Sequence, residues 1–168
     1  QIVPETIKKN NGKPQRARVG FSYIKADMRA KHAIFAGEHT SHFYFKDNFY
    51  SDSGLIGALL SMQALAESGK KMSELAKPYR EAYVAIPEES FKVQDRLGAI
   101  EKLRAAFSDG EQDLLDGLTV TYENKWFNIR PSNTEPLLRL NVEAKTLEEL
   151  TKLVRTVENA IRSFTSKG

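Results

Sequence analysis

Residues 126–144 read WFNIRPSNTEPLLRLNVEA, and the fold can be built outward from them. Both ends of the stretch alternate. Phe127 and Ile129 share a face opposite Trp126, Asn128 and Arg130, while Leu138, Leu140 and Val142 share a face opposite Leu137, Arg139, Asn141 and Glu143. A period of two sends alternate side chains to opposite sides of a strand. The apolar faces therefore meet a helical layer, and Arg130 and Arg139 lie on the face away from it. Between the strands, Pro131 and Pro136 fence in Ser132, Asn133, Thr134 and Glu135. Proline restricts the residue before it to extended backbone, so the loop is shaped before any ligand arrives.

Working outward, residues 87–168 read as strand, helix, strand, strand, strand, helix. Residues 90–93 form a short strand. Residues 95–107 form a helix with Leu97, Ile100, Leu103 (or Arg104) and Phe107 inward. Residues 118–122, LTVTY, are β-branched and aromatic and turn through residues 123–125 into the strand at 126–130. Thr146 and Glu149 fit a capping box, each satisfying the other's backbone donor. Leu147, Leu150, Val154, Val157, Ile161 and Phe164 then mark one face of a long final helix.

The first half is organised differently, with a boundary expected near residues 84–88, so that the domains are 1–86 and 87–168. Residues 2–9 read as a helix closed by a left-handed Gly12. Residues 16–19 read as a strand, 22–31 as a helix with Ile24 and Met28 on one face, and 32–36 (HAIFA) as a buried strand. A polar loop at 37–42 leads to an extended aromatic piece, 43–45. Asp52 or Ser53 caps the next helix, Leu55, Leu59, Met62 and Leu65 or Ala66 follow at helical spacing, and Gly69 stops it. A further helix starts at Met72 with Ser73 as its N-cap and Leu75, Tyr79 and Tyr83 on one side.

Composition bounds the function. Of 168 residues, 40% are apolar and 28% charged, the balance of a globular chain with its own core. Cysteine is absent, which removes disulfides and thiolate metal sites and fits a cytoplasmic location. No apolar run reaches the roughly 18–20 residues of a membrane span, and residues 1–10 lack signal-peptide organisation. The chain does not begin with Met, which suggests a piece of a longer protein. The net charge of +3 is a weak pointer to polyanions, and the basic patch Lys8, Lys9, Lys13, Arg16 and Arg18 carries no interleaved aromatic ring.

The fenced loop reads as an anion clamp. Ser132, Asn133 and Thr134 supply short donors, successive backbone N–H groups in a tight turn make an anion nest, and the planar forks of Arg130 and Arg139 suit phosphate oxygens. The competing reading is an ordinary connection whose arginines pair with Glu135 and Glu143. In residues 37–47, GEHTSHFYFKD, Glu38 is an acceptor for vicinal hydroxyls, and Thr40 and His42 donate or accept. A rival reading makes Glu38, His39 and His42 a metal site.

RPSNTEPLLRLNVEA resembles the phosphate-binding loop in the last domain of the α-D-phosphohexomutases, R-x-S-[GN]-T-E-P followed by an arginine on the next strand. GEHTSH resembles their third-domain loop G-E-x-S-[GA]-H, with Thr40 where serine is usual and Ser41 in place of glycine or alanine. Residues 50–60 (YSDSGLIGALL) resemble the helix start after that loop. Residues 18–28 (RVGFSYIKADM) resemble the V-G-[HF]-x-x-I-K segment, with Phe21 where many members have histidine. The resemblance implies an α/β fold: a partial α/β third domain followed by an α+β C-terminal domain, an antiparallel-type sheet with two helices on one face. It implies a phosphomannomutase/phosphoglucomutase, an isomerase that interconverts hexose 1-phosphate and hexose 6-phosphate through a phosphoserine and a hexose 1,6-bisphosphate. Glu38, Thr40 and His42 would bind the sugar, and Arg130, Ser132, Asn133, Thr134 and Arg139 the phosphate.

The resemblance also implies partners. The phosphoserine lies in the family's first domain and Mg²⁺ in its second, and neither a T-A-S-H-N-type nor a D-G-D-G-D-type loop stands in this sequence. No catalytic residue and no metal ligand is therefore expected within these 168 residues, and the missing first and second domains become expected partners, with no nucleic acid or membrane. The alternatives are a stand-alone sugar-phosphate-binding module and a small RNA-binding α/β sandwich, for which Trp126 is the one obvious stacking ring.

Overall fold

The computed structural model describes residues 1–132 and 135–165. Asn133, Thr134 and the side chain of Phe164 lie outside the described residues. Two compact units result: Pro4–Pro78, and Tyr79–Gly168 joined by Gln1–Val3.

In the second unit a six-stranded antiparallel sheet runs in the order β4 (Val84–Ala85), β9 (Leu137–Ala144), β8 (Lys125–Pro131), β7 (Leu118–Thr121), β6 (Glu111–Asp113). β5 (Glu89–Lys92) also pairs with β9, so β4 and β5 share one edge. The alternation of 126–144 holds: Phe127, Ile129, Leu138, Leu140 and Val142 are all buried, and the hairpin sets Ile129 opposite Leu140 and Arg130 opposite Arg139. Onto this apolar face pack α5 (Arg96–Ala106), through Ala99, Ile100 and Leu103, and α6 (Leu147–Thr165), through Leu150, Leu153, Val157 and Ile161. Phe107 meets Phe127 edge-on, with ring centroids 4.9 Å apart.

Several local expectations need correction. Leu97 and Leu147 stand at 74% and 69% exposure instead of facing inward. Both lie in first turns, where the helix has not yet come over the sheet, and Ala99 and Leu153 take the buried places instead. The Thr146 hydroxyl does accept the Glu149 N–H (3.2 Å), but the Glu149 carboxylate takes that same hydroxyl (3.1 Å) in the contact it makes with Thr146. Strand β6 carries no apolar run that would mark it in the sequence; its pairing with β7 makes it a strand.

α1 (Ile2–Lys9), which begins in the residues joined to the other unit, closes with Asn11, not Gly12, in the left-handed region, φ 60°. Gly12 N–H reaches the Ile7 carbonyl (2.8 Å) and Asn11 N–H the Lys8 carbonyl (3.0 Å), the paired bonds of a Schellman stop. Residues 16–19 form no strand. α2 (Phe21–Ala30) buries Ile24 and Met28 as expected. The strand expected at 32–36 is instead β1 (Phe35–Gly37), and it is not buried: it pairs only with β2 (Phe43–Phe45), leaving Ile34 and Phe35 exposed. β3 (Ser51–Asp52) completes a three-stranded antiparallel sheet.

Ser53 caps α3 (Gly54–Ser68) by accepting the Ile56 N–H, and left-handed Gly69 ends it. Leu55, Leu59 and Met62 lie at helical spacing as expected, but they stand exposed, and α3 buries none of its residues fully. α4 (Met72–Arg80) starts ahead of Ser73, and the Glu74 carboxylate, not Ser73, takes the Lys71 N–H at 2.8 Å.

Candidate functional site

Arg130 and Arg139 occupy directly opposed positions on the sheet face away from α5 and α6. Like charges directly opposed across an antiparallel pair repel, so the arrangement calls for an anion. The carboxylate of Glu88, which follows β4, answers it. Its Oε2 accepts from Arg130 Nη2 (3.1 Å) and Asn141 Nδ2 (3.2 Å), and its Oε1 accepts from Arg139 Nη1 (3.0 Å). Burial alone would raise the Glu88 carboxyl, but the Asn141 hydrogen bond and the Arg130 and Arg139 guanidinium groups outweigh it and hold the carboxyl below its ordinary value. The pairing expected with Glu143 does not form: the Glu143 carboxylate accepts the Trp126 indole N–H at 2.9 Å instead. Glu135 reaches Arg139 only at 3.8 Å.

The loop is closed from within. Ser132 is buried; its N–H donates to the Leu137 carbonyl (2.8 Å) and its hydroxyl oxygen accepts the Glu135 N–H (3.3 Å). Arg96, at the start of α5, donates through Nη1 to the carbonyls of both Ser132 (2.8 Å) and Glu135 (3.0 Å). One guanidinium thus ties the two ends of the loop and draws those two carbonyl oxygens toward α5. Gly117 (φ 72°) lies against the strand that carries Arg130, and any Cβ there would run into the Ile129 carbonyl and the Arg130 backbone.

In the first unit Glu38, Thr40 and His42 are gathered at the β1–β2 turn. The turn is tied by the Glu38 N–H to the His42 carbonyl (2.9 Å) and by the Ser41 N–H to the Glu38 carbonyl (3.0 Å). Ser41 itself is left-handed, φ 66°, which explains physically why glycine suits that position. Each Glu38 oxygen is oriented: Oε1 accepts the Gly20 N–H (3.2 Å) and Oε2 the Tyr44 hydroxyl (2.8 Å). Burial, then the hydrogen bond and charge of Glu38, push the Tyr44 hydroxyl well above its ordinary value, so it stays a donor. His42 Nδ1 lies 3.1 Å from Asp52 Oδ2, and its ring is exposed. Among the described residues no group of three or more His, Cys, Asp or Glu could hold a metal ion. Glu38, His39 and His42 do not form such a group.

The two loops and the sheets that carry them match two models of one family. Residues 1–83 match phosphoglucomutase/phosphomannomutase, alpha/beta/alpha domain III, and residues 81–160 match phosphoglucomutase/phosphomannomutase, C-terminal domain. The chain belongs to the phosphoglucomutase/phosphomannomutase family. A phosphomannomutase of Methanocaldococcus jannaschii is 41% identical over 96% of this chain and 36% of its own length. Phosphohexose mutases of Xanthomonas campestris are 36% identical over 84% of this chain and 32% of theirs. The chain thus spans about a third of the length of these relatives. The crystal structure of a phosphoglucomutase/phosphomannomutase family protein from Burkholderia thailandensis superposes with TM-score 0.82 at 29% identity, covering 99% of this chain and 36% of that one.

Glu88, Asn141, Arg96, Tyr44 and Asp52 were not singled out as site residues in the sequence. For Asn141 the signal was present, since alternation puts it on the arginine face. Glu88 and Arg96 had none: they lie 42 and 36 positions from their partners Arg130 and Ser132.

Proposed function

We propose that the chain binds a hexose phosphate as the substrate-gripping portion of a phosphohexomutase that interconverts hexose 1-phosphate and hexose 6-phosphate of mannose or glucose. The observation that carries this reading is the opposed pair Arg130 and Arg139 beside a loop tied at both ends. Two forked cations in fixed register suit the oxygens of a phosphate group. Ser132, Asn133 and Thr134 are the loop residues assigned to the same phosphate. At the other loop Glu38, oriented by Gly20 and Tyr44, accepts from sugar hydroxyls, with Thr40 and His42 as partners.

The chemistry of phosphoryl transfer is assigned elsewhere. The phosphoserine donor, the hexose 1,6-bisphosphate intermediate and Mg²⁺ belong in this reading to first and second domains whose motifs the 168 residues do not contain, and no step is routed through them here. In this reading the domain boundary is placed at 86/87, while the compact units divide between Pro78 and Tyr79, and the enzyme works in the cytoplasm. No helix among the described residues is long and apolar enough to cross a membrane.

Arg130→Ala tests the reading. It removes charge-assisted hydrogen bonds worth about 1.5–3 kcal/mol, so affinity for mannose 1-phosphate, followed by NMR titration, falls about 10- to 150-fold. An unchanged affinity would reduce the loop to a connection. A coupled assay of the purified 168-residue chain is expected to show no mutase turnover.

A further inference from the structure

The arginine pair already holds an anion, and the anion belongs to the chain. Glu88 meets three donors with one carboxylate: Arg130, Arg139 and Asn141. Its backbone is pinned on both sides to β9, because the Ile86 N–H donates to the Val142 carbonyl and Glu89 pairs with Leu140. Its side chain keeps 29% exposure, so rotation of the carboxylate into solvent is open although the backbone is fixed. Arg139 Nε is buried without a hydrogen-bond partner among the described residues, a donor that a ligand with three free oxygens could satisfy and a bridging carboxylate does not.

We infer that Glu88 is an internal stand-in for the phosphate group: it holds both guanidinium groups in the empty clamp and yields them to a phosphate monoester dianion. This rests on the phosphate-binding reading above. The physical ground is charge. Two arginines and one carboxylate leave the site with a single positive charge. A dianion that displaces Glu88 cancels both arginine charges, and Glu88 recovers its hydration outside. A monoanion cancels only one of them, while the cost of displacing Glu88 is the same for both. The opposed guanidinium groups stay ordered without ligand because Glu88 suppresses their repulsion.

Titration of the 168-residue chain with glucose 6-phosphate and with its monoanionic analogue glucose 6-sulfate tests this in wild type, Glu88→Gln and Arg130→Ala. Glu88→Gln is expected to bind both esters about tenfold more tightly, the worth of one charge-assisted contact, because the internal competitor is gone for each. Phosphate-ester binding that is lost in Arg130→Ala while Glu88→Gln binds that ester no more tightly than wild type overturns the stand-in and leaves the clamp standing. Phosphate-ester binding equal in Arg130→Ala and wild type overturns the clamp itself, and the stand-in with it. If Glu88→Gln does not fold, glutamate-labelled wild type decides. The Glu88 carboxyl resonance is expected to move to a solvent-exposed position on saturation with glucose 6-phosphate. A resonance that saturation leaves in place overturns the inference.

Discussion

The two units of this chain reach stability by different routes. The second buries a continuous cluster, with Phe127, Ile129, Leu138, Leu140 and Val142 from the sheet meeting Ile100, Leu103, Val157 and Ile161 from two helices. The first fully buries only Ile24, Met28 and Tyr44 among its hydrophobic residues, and its longest helix, α3, holds Leu55, Leu59 and Met62 in solvent. Apolar residues are spread along both units; what differs is whether a second layer lies against the apolar face. The lesson carries over to the candidate sites. The phosphate clamp stands on a packed sheet, where hydrophobic burial fixes the strands. The Glu38 loop stands on a three-stranded sheet, where individual hydrogen bonds carry more of the order.

Four measurements would break or sharpen that contrast. Phe127→Ala should produce the largest effect, a loss of about 3–5 kcal/mol from removal of a fully buried ring; urea unfolding followed by the single Trp126, on the same strand, reads it directly. A loss no larger than that of a surface change would mean that the second unit is not held by its core. Next, Tyr44→Phe removes a hydrogen bond to the Glu38 carboxylate, worth about 1.5–3 kcal/mol when the acceptor is charged. Hydrogen exchange at the amides of Ile24 and Met28 should accelerate accordingly, and unchanged protection would show that packing alone orders the first unit.

The third measurement exploits neighbours of opposite sign within the second unit. Glu89 is pushed above its ordinary value by burial first, then by its hydrogen bond to Glu158 and the charge of Glu158, against a smaller opposing pull from Arg162. A carboxyl raised on folding contributes stability that is present below its unfolded value and lost as pH rises through its folded value. Glu89→Gln should therefore raise the unfolding temperature at pH 7, with the gain vanishing in acid. Glu88 behaves in the opposite way: its lowered carboxyl contributes at neutral pH, and the contribution is lost as pH falls through the folded value. A thermal scan from pH 3 to pH 8 in which both Gln variants moved stability in the same direction at neutral pH would contradict these assignments. The smallest effect belongs to α3: Leu59→Ser, at a position 57% exposed, should change stability by less than about 0.5 kcal/mol while reducing binding of a hydrophobic dye. A larger loss would show that the α3 face is covered in solution.

The sequence was most legible where a short period repeats. Residues 126–144 announced two strands, their buried faces and the outward arginines, because alternation is local and needs no knowledge of the partner. Ser53 and Gly69 likewise bounded α3 from their own chemistry. Sequence and structure part where layer placement decides. The spacing of Leu55, Leu59 and Met62 specified an apolar stripe, but not that anything lies against it. The apolar run at 32–36 suggested a buried strand, yet β1 pairs on one side only and stays exposed.

The sequence by itself determined the hairpin, the faces of its strands, the fenced loop and the family that those motifs mark. Only the tertiary structure decided that Glu88 stands between Arg130 and Arg139, that Arg96 ties both ends of the loop, and that Glu143 turns to Trp126. The reason is physical: a side chain's face follows from its own strand, whereas its charge partner follows from which distant segment docks at the sheet edge, and that choice is made by packing over the whole unit.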